Sequence, residues 1–215
     1  MDGIDELDIV QQKTVLRNAM SDVVAQFCAN KKAASLAAKH AADSLFESSL
    51  YIDARVICIF IASPEEIETR SIIEQALADG KCVAVPRVTN RDGSMELRCL
   101  DAEQPLGMQL EIGAFGLLEP NLSTVKINVD DFPSHALFLM PGLAFMCGGK
   151  RLGRGRGFYD RYIARIRETE PVLAALCFSC QIIDSIPCVA HDVDMAYIVC
   201  DRGIISCDSF QYTGL

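Results

Sequence analysis

The sequence contains no apolar run approaching the roughly 18 residues needed to cross a bilayer, and no internal repeat or low-complexity tract. Its first residues, MDGIDELDIVQQK, have neither the basic and apolar regions of a secretory leader nor the Arg-rich, acid-poor character of a transit peptide. A cytoplasmic location without membrane partners is therefore expected. Positive charge is in short supply: 20 Lys and Arg face 29 Asp and Glu, a net charge of −9. A surface with that summed field repels polyanions, so nucleic acid is not an expected partner and any bound anion must be captured locally. Cysteine, by contrast, is plentiful. The ten cysteines are scattered through apolar runs such as VICIFIA and VLAALCF, where they read as small hydrophobes with reduced thiols, not as a disulfide framework.

With 215 residues and half of them apolar, the chain suits one domain, spanning 1–215, around a sizeable core. Ile9, Leu16, Met20, Val23 and Phe27 recur at helical spacing and predict a helix over 5–29, followed by an alanine-rich one over 31–47. RVICIFIA at 55–62 reads as a strand covered on both faces. Ser63, Pro64 and Glu66 then form a capping box for a helix closed by Gly80. KCVAVP completes a βαβ unit, and runs at 136–140, 172–178 and 196–200 supply further strands, with a helix over 158–168. Between 88 and 135 only a hairpin around NRDGS is assigned. The pattern is α/β with a largely parallel sheet between helical layers, in which ligands sit beyond the carboxyl ends of the strands. That edge would carry Glu66, Arg87 and the loop beginning Pro141-Gly142.

Residues 150–167 break the acidic pattern. They hold seven Lys or Arg and one acid, Asp160, a net of +6 that leaves −15 on the remainder. Five of the fourteen glycines lie between 148 and 157, directly before the helix bearing Tyr159, Ile163 and Ile166. Glycine lets backbone N–H groups surround an oxyanion, a helix N-terminus adds partial positive charge, and Arg151, Arg154 and Arg156 can donate paired hydrogen bonds to phosphate. The spacing matches neither a Walker A loop nor a dinucleotide fingerprint. A flexible surface loop and an Arg-Gly RNA-binding segment are the competing readings.

The stretch PGLAFMCGGKRLGRGRGFYDRYI, 141–163, resembles the signature of 5-formyltetrahydrofolate cyclo-ligases, also called methenyltetrahydrofolate synthetases. KTVLR at 13–17, EIET at 66–69 followed by GKCVAVPRV, and HDVDMAYIV at 191–199 agree in order and spacing. The resemblance implies a three-layer α/β/α fold of the sugar-isomerase/CoA-transferase-like kind, with ATP and Mg²⁺ as cofactors, a reduced folate as substrate and a monomeric enzyme. It implies that Lys13 and Arg17, one helical turn apart, meet the ATP phosphates together with Arg151, Leu152, Gly153, Arg154, Gly155, Arg156, Gly157, Phe158 and Tyr159. Ile61, Glu66 and the segment Arg154, Gly155, Arg156, Gly157 and Phe158 would border the folate, with Arg154 and Arg156 catalytic. In the implied chemistry the γ-phosphoryl group is transferred to the formyl oxygen, the folate's bridge amine attacks the activated carbon, and phosphate departs as the ring closes. Such transfer needs alignment and positive charge more than a protein nucleophile.

Asp160 and Asp192 are the implied magnesium ligands, since Mg²⁺ takes oxygen donors and retains waters. Asp160 also fits as a helix N-terminal acid, and Glu66 as the reciprocal half of its capping box, a role that competes with folate. The family's usual aspartate after AF is here Met146, followed by Cys147, and the first aromatic of the usual Tyr-Tyr-Asp is Phe158. A catalytically weakened folate- or nucleotide-binding homologue is therefore a second reading, and the RNA-binding module a third. Cys177, Cys180, Cys188 and His191 have zinc-like pair spacing, but only seven residues separate the pairs, and Cys177 closes an apolar strand.

Overall fold

The computed structural model describes residues 6–90, 94–189 and 192–208. Its helices are α1 (Glu6–Ala29), α2 (Lys31–Phe46), α3 (Ser49–Ile52), α4 (Arg70–Ala78) and α5 (Phe158–Ile166). Its strands are β1 (Val56–Ile59), β2 (Cys82–Val88), β3 (Met95–Cys99), β4 (Leu110–Ile112), β5 (Leu118–Pro120), β6 (Val125–Lys126), β7 (Leu137–Met140), β8 (Ala144–Phe145), β9 (Arg151–Leu152), β10 (Val172–Leu176), β11 (Tyr197–Cys200) and β12 (Gly203–Ser206). Eight strands form one sheet in the order β12-β11-β10-β7-β1-β2-β3-β6. The five from β11 to β2 are mutually parallel, and β12, β3 and β6 pair antiparallel at the flanks. β4–β5 and β8–β9 are separate antiparallel ribbons.

The central strands are continuously apolar because both faces are covered, and the two-residue period of a strand deals their side chains to opposite layers. Ile57, Ile59, Val83, Val85, Leu137 and Leu139 face a core built with buried side chains of α1, α2 and α4. Cys58, Ala84, Phe138, Met140, Ala175 and Ile198 face Tyr162, Ile163 and Ile166 of α5. Each large side chain so buried contributes about 1.5–3 kcal/mol. The result is the expected three-layer arrangement.

Two local expectations shift. On α1 the buried side chains are Met20, Val24 and Cys28, while Val23 stays 39 % exposed, so the stripe runs one residue later than the sequence pattern placed it. The helix after β1 starts at Arg70, not at Pro64. Half of the capping box does form, with the Ser63 N–H donating to Glu66 Oε2 at 2.9 Å. The turn it closes ends there, because the Thr69 hydroxyl donates to Phe60 O at 2.9 Å and accepts from the Ala62 N–H at 3.2 Å. Residues 60–69 are thereby fastened to the end of β1 as a loop. The hairpin expected around NRDGS joins β2 to β3, in the register Arg87↔Glu96, with residues 91–93 of its turn outside the described residues.

The topology sends the carboxyl ends of all five parallel strands to one edge. Glu66 follows β1, and Pro141-Gly142 follow β7 and lead into the β8–β9 ribbon, which feeds α5. The turn of that ribbon is tight: the Gly149 N–H donates to Met146 O at 2.9 Å, and Gly149 O accepts from the Met195 N–H at 2.8 Å. Gly149 has φ +87°, and a Cβ there would lie 2.5 Å from the Met195 carbonyl. Gly149→Ala should therefore destabilise the protein by roughly 1–3 kcal/mol from backbone strain, more if the ribbon separates from the β11 loop, read as a lower midpoint in urea unfolding.

Candidate functional site

The basic, glycine-rich segment is ordered by its neighbours. Arg151, in β9, has only 5 % of its side chain exposed, and its Nη2 lies 2.8 Å from Asp160 Oδ1 at the start of α5. Its Nη1 donates to Pro141 O at 3.2 Å, and the guanidinium lies 5.9 Å from the centre of the Tyr159 ring. Gly142 is what lets this side chain pass, because a Cβ there would lie 2.6 Å from the Phe145 ring and 3.2 Å from Arg151 Cγ. Leu152 is fully buried among Met20, Leu143, Ala144 and Ile186, so it anchors the segment instead of offering a side chain to a ligand.

Beyond Leu152 the chain turns outward. Gly155 and Gly157 have φ +94° and +64°, backbone that L side chains rarely adopt, and Gly157 leads directly into α5. Arg17 reaches this loop from α1: its Nε donates to Gly153 O at 3.0 Å, and its guanidinium lies so close to Gly155 that a Cβ there would meet Cζ at 3.2 Å. Lys13, one turn earlier and 12 % exposed, pairs with Asp192 at 2.5 Å. The Lys13 side chain thus turns towards protein, not outward.

Arg154 is half-exposed and lies 3.3 Å from Glu66 Oε1. The two carboxylate oxygens of Glu66 divide the tasks that the sequence set in competition: Oε2 accepts from Ser63, and Oε1 faces the arginine loop. Ile61 is half-buried behind it at the margin of the core. Arg156 is exposed, its guanidinium 4.5 Å from the centre of the Phe115 ring, and Phe115 is 6.2 Å from the half-buried Phe158. Tyr159 is held neutral: burial, reinforced by the nearby Glu66 carboxylate, pushes its phenol well above the ordinary value.

The arrangement brings Lys13, Arg17, Glu66 and the whole 151–160 segment to one edge of the sheet. Arg87 stands apart in role: inside β2, it pairs with Glu111 at 2.7 Å and donates to Pro120 O at 2.6 Å, holding the β4–β5 ribbon. Met146 is accommodated as part of the ribbon turn, its sulfur accepting from the Ile186 N–H at 3.2 Å and its side chain joining Leu16 and Ile183 at the edge of a small apolar cluster. Cys177 is fully buried, which pushes its thiol well up, and Cys188 is exposed; His191 lies outside the described residues. Among the described residues no group of three or more His, Cys, Asp and Glu is placed to hold a metal ion, and no helix is long and apolar enough to cross a membrane.

Two residues that the sequence reading missed shape the site. Phe115, at φ +63° on the turn between β4 and β5, presents a half-exposed ring to Arg156. Gln181 is buried after β10; its Nε2 donates to Gly142 O at 2.8 Å and Leu143 O at 3.2 Å, and its Oε1 accepts from the Phe178 N–H at 2.9 Å. The adjacent Gly116, at φ +72°, was a legible turn signal for Phe115. A single polar residue after an apolar strand gave none for Gln181.

A model described as the 5-formyltetrahydrofolate cyclo-ligase family matches residues 9–201. The chain belongs to this family. Among curated cyclo-ligases, the mouse 5-formyltetrahydrofolate cyclo-ligase is 31 % identical over 146 residues, 66 % of this chain and 71 % of the mouse protein. The Saccharomyces cerevisiae 5-formyltetrahydrofolate cyclo-ligase is 30 % identical over 168 residues, 70 % of this chain and 77 % of the yeast protein. The NMR structure of Aquifex aeolicus 5,10-methenyltetrahydrofolate synthetase has the same fold, with a TM-score of 0.74 at 20 % identity, over 94 % of this chain and 96 % of that one.

The residues gathered here are of the types a phosphate chain and a magnesium ion take. Asp160 and Asp192 supply the oxygen donors that Mg²⁺ prefers, each beside a cation, and Gly155 leaves open a space that a Cβ would take from Arg17. The Arg151–Asp160 pair is the inflexible member of the set. Asp160→Ala, by leaving a buried guanidinium without its carboxylate, should cost about 1–3 kcal/mol of stability in chemical denaturation, whereas deletion of the more exposed Arg154–Glu66 contact costs well under 1.

Proposed function

We propose that this chain catalyses the ATP-dependent conversion of 5-formyltetrahydrofolate to 5,10-methenyltetrahydrofolate, with release of ADP and phosphate. The observation that carries the proposal is the convergence of Arg17 on the 153–155 loop, with Gly153 O 3.0 Å from its Nε, next to the Arg154–Glu66 contact. Charge for a polyphosphate and a carboxylate for a pterin then share one edge.

In this reading Lys13, Arg17 and Arg151 bind the nucleotide's phosphates, and the backbone of Gly153, Gly155 and Gly157 lets oxyanions approach the N-terminus of α5. Arg154 and Arg156, the exposed members, face the group being transferred and offset its charge. Glu66 accepts hydrogen bonds from the pterin N–H groups, with Ile61 and Phe158 as apolar walls. A carboxylate already sharing an N–H with Ser63 is held at a fixed angle to do so. Tyr159, kept neutral, can donate but adds no negative charge near the phosphates. Asp160 and Asp192 would hold magnesium, whose charge would neutralise the triphosphate. Arg151 and Lys13, their partners here, would then be released towards phosphate oxygens. The protein acts in this reading as a cytoplasmic monomer, in keeping with ten cysteines that are all free in this structure.

The ordered contacts of 151–157 weigh against an RNA-binding tail, and the hydrogen bond that Met146 receives weighs against a damaged site. Purified protein given MgATP and 5-formyltetrahydrofolate should develop the near-ultraviolet absorbance of the methenyl product; binding of both without that signal would refute the proposal. Arg154→Ala should lower kcat by about 100-fold or more with an unchanged circular dichroism spectrum, because it removes charge from the transferring group and no core packing. Glu66→Gln should chiefly raise KM for the folate.

A further inference from the structure

Away from the candidate site, the sheet carries a cluster of thiols. Cys58, Ala84 and Cys99 stand side by side on β1, β2 and β3, in the registers Cys58↔Ala84 and Ala84↔Cys99. Cys82, two residues before Ala84, is on the same face, and its sulfur lies 3.0 Å from that of Cys99. Cys58 is fully buried. Cys82 and Cys99 are only half-buried, within reach of a small solute. A disulfide bond is about 2.05 Å long, so the two sulfurs need to close by about 1 Å between strands whose backbones are already hydrogen-bonded.

We propose that Cys82 and Cys99 are a site of reversible oxidative modification, joined by an intramolecular disulfide when a hydroperoxide supplies the oxidising equivalents. The thiolate of Cys82 attacks one peroxide oxygen, the O–O bond breaks, and Cys82 becomes a sulfenic acid as hydroxide leaves. The Cys99 sulfur then displaces the sulfenic hydroxyl as water. In sum two thiols lose two electrons and two protons, and hydrogen peroxide is reduced to two waters. With Cys99 as donor across the 3.0 Å contact, the hydrogen bond favours the first step by lowering the Cys82 pKa, while the same contact and burial raise that of Cys99. Among the other described thiols, burial raises the pKa of Cys28, Cys58, Cys177, Cys180, Cys200 and Cys207, and Cys188 is exposed.

Reduced full-length protein treated with hydrogen peroxide, blocked with N-ethylmaleimide and cut with trypsin tests this cleanly. Cleavage after Lys81 and Arg87 puts Cys82 in peptide 82–87, and cleavage after Arg98 makes Cys99 the first residue of the next peptide. The expected result is loss of two alkylatable thiols of the ten, recovery of the two peptides as one cross-linked species, and restoration of both by dithiothreitol. Cys99→Ser should leave Cys82 as a sulfenic acid trapped by dimedone, and Cys188→Ser should form the cross-link as the unaltered protein does. Full alkylation of Cys82 and Cys99 after peroxide has oxidised Cys188 or Cys147, or cross-links joining either residue to a different cysteine, would overturn the proposal.

Discussion

The guanidinium of Arg151 is the fixed point of the site. A buried cation is tolerable only when its charge is matched, and here the Asp160 carboxylate matches it at Nη2 and the Pro141 carbonyl engages Nη1, while the buried Nε has no partner among the described residues. That ties three segments together: the exit of β7, the β8–β9 ribbon and the first turn of α5. The helix could not begin where it does if Arg151 turned outward, because Asp160, in its first turn, is the residue being held. Gly142 makes the packing sterically feasible, and Gln181 fixes its carbonyl and that of Leu143.

From that point the cations grade from fixed to exchangeable. Arg151 is nearly enclosed, Lys13 mostly so, and Arg154 and Arg156 lie open. Ion pairs in water-exposed settings contribute about 0–1 kcal/mol, so Arg154 can leave Glu66 for a phosphate at little cost. Arg151 cannot leave Asp160 without something to replace it, and a divalent cation on the carboxylate together with phosphate oxygens on the guanidinium would be such a replacement. A site built in this way is held in shape by the enclosed Arg151–Asp160 pair and leaves the half-exposed Arg154 able to exchange partners.

Much of this was legible in the residues. The parallel strands were continuous apolar runs, and the charge contrast between 150–167 and the rest marked the loop. What escaped notice depended on tertiary contacts with no local signature. Thr69 stands at the N-cap of α4, but its hydroxyl is spent on Phe60 and Ala62 instead of on the helix, which ties 60–69 to the end of β1 as a loop and lets the helix begin only at Arg70. Between 88 and 135 the strands are two to five residues long, too short for periodicity to emerge, so Phe115 went unseen. The cap half of the Glu66 alternatives is seen, with Oε2 on the Ser63 N–H, and its second oxygen is turned to Arg154.

The two departures from the family pattern have the same physical consequence. Met146 puts a thioether where a carboxylate is usual, and its sulfur satisfies the Ile186 N–H while its methylenes join the cluster around Leu152. Phe158 gives up a hydroxyl, and its ring borders the core under α5 and lies beside Phe115. Each exchanges a polar group at the rim of the cradle for apolar contact and leaves the cations at 151, 154 and 156 in place. A less polar rim holds less water, and an interaction between guanidinium and phosphate strengthens as water is excluded from it. The loss of one carboxylate near the loop also removes a competitor for those same arginines. In the proposed reading both changes push towards tighter anion capture at the one basic stretch of a chain carrying net −9.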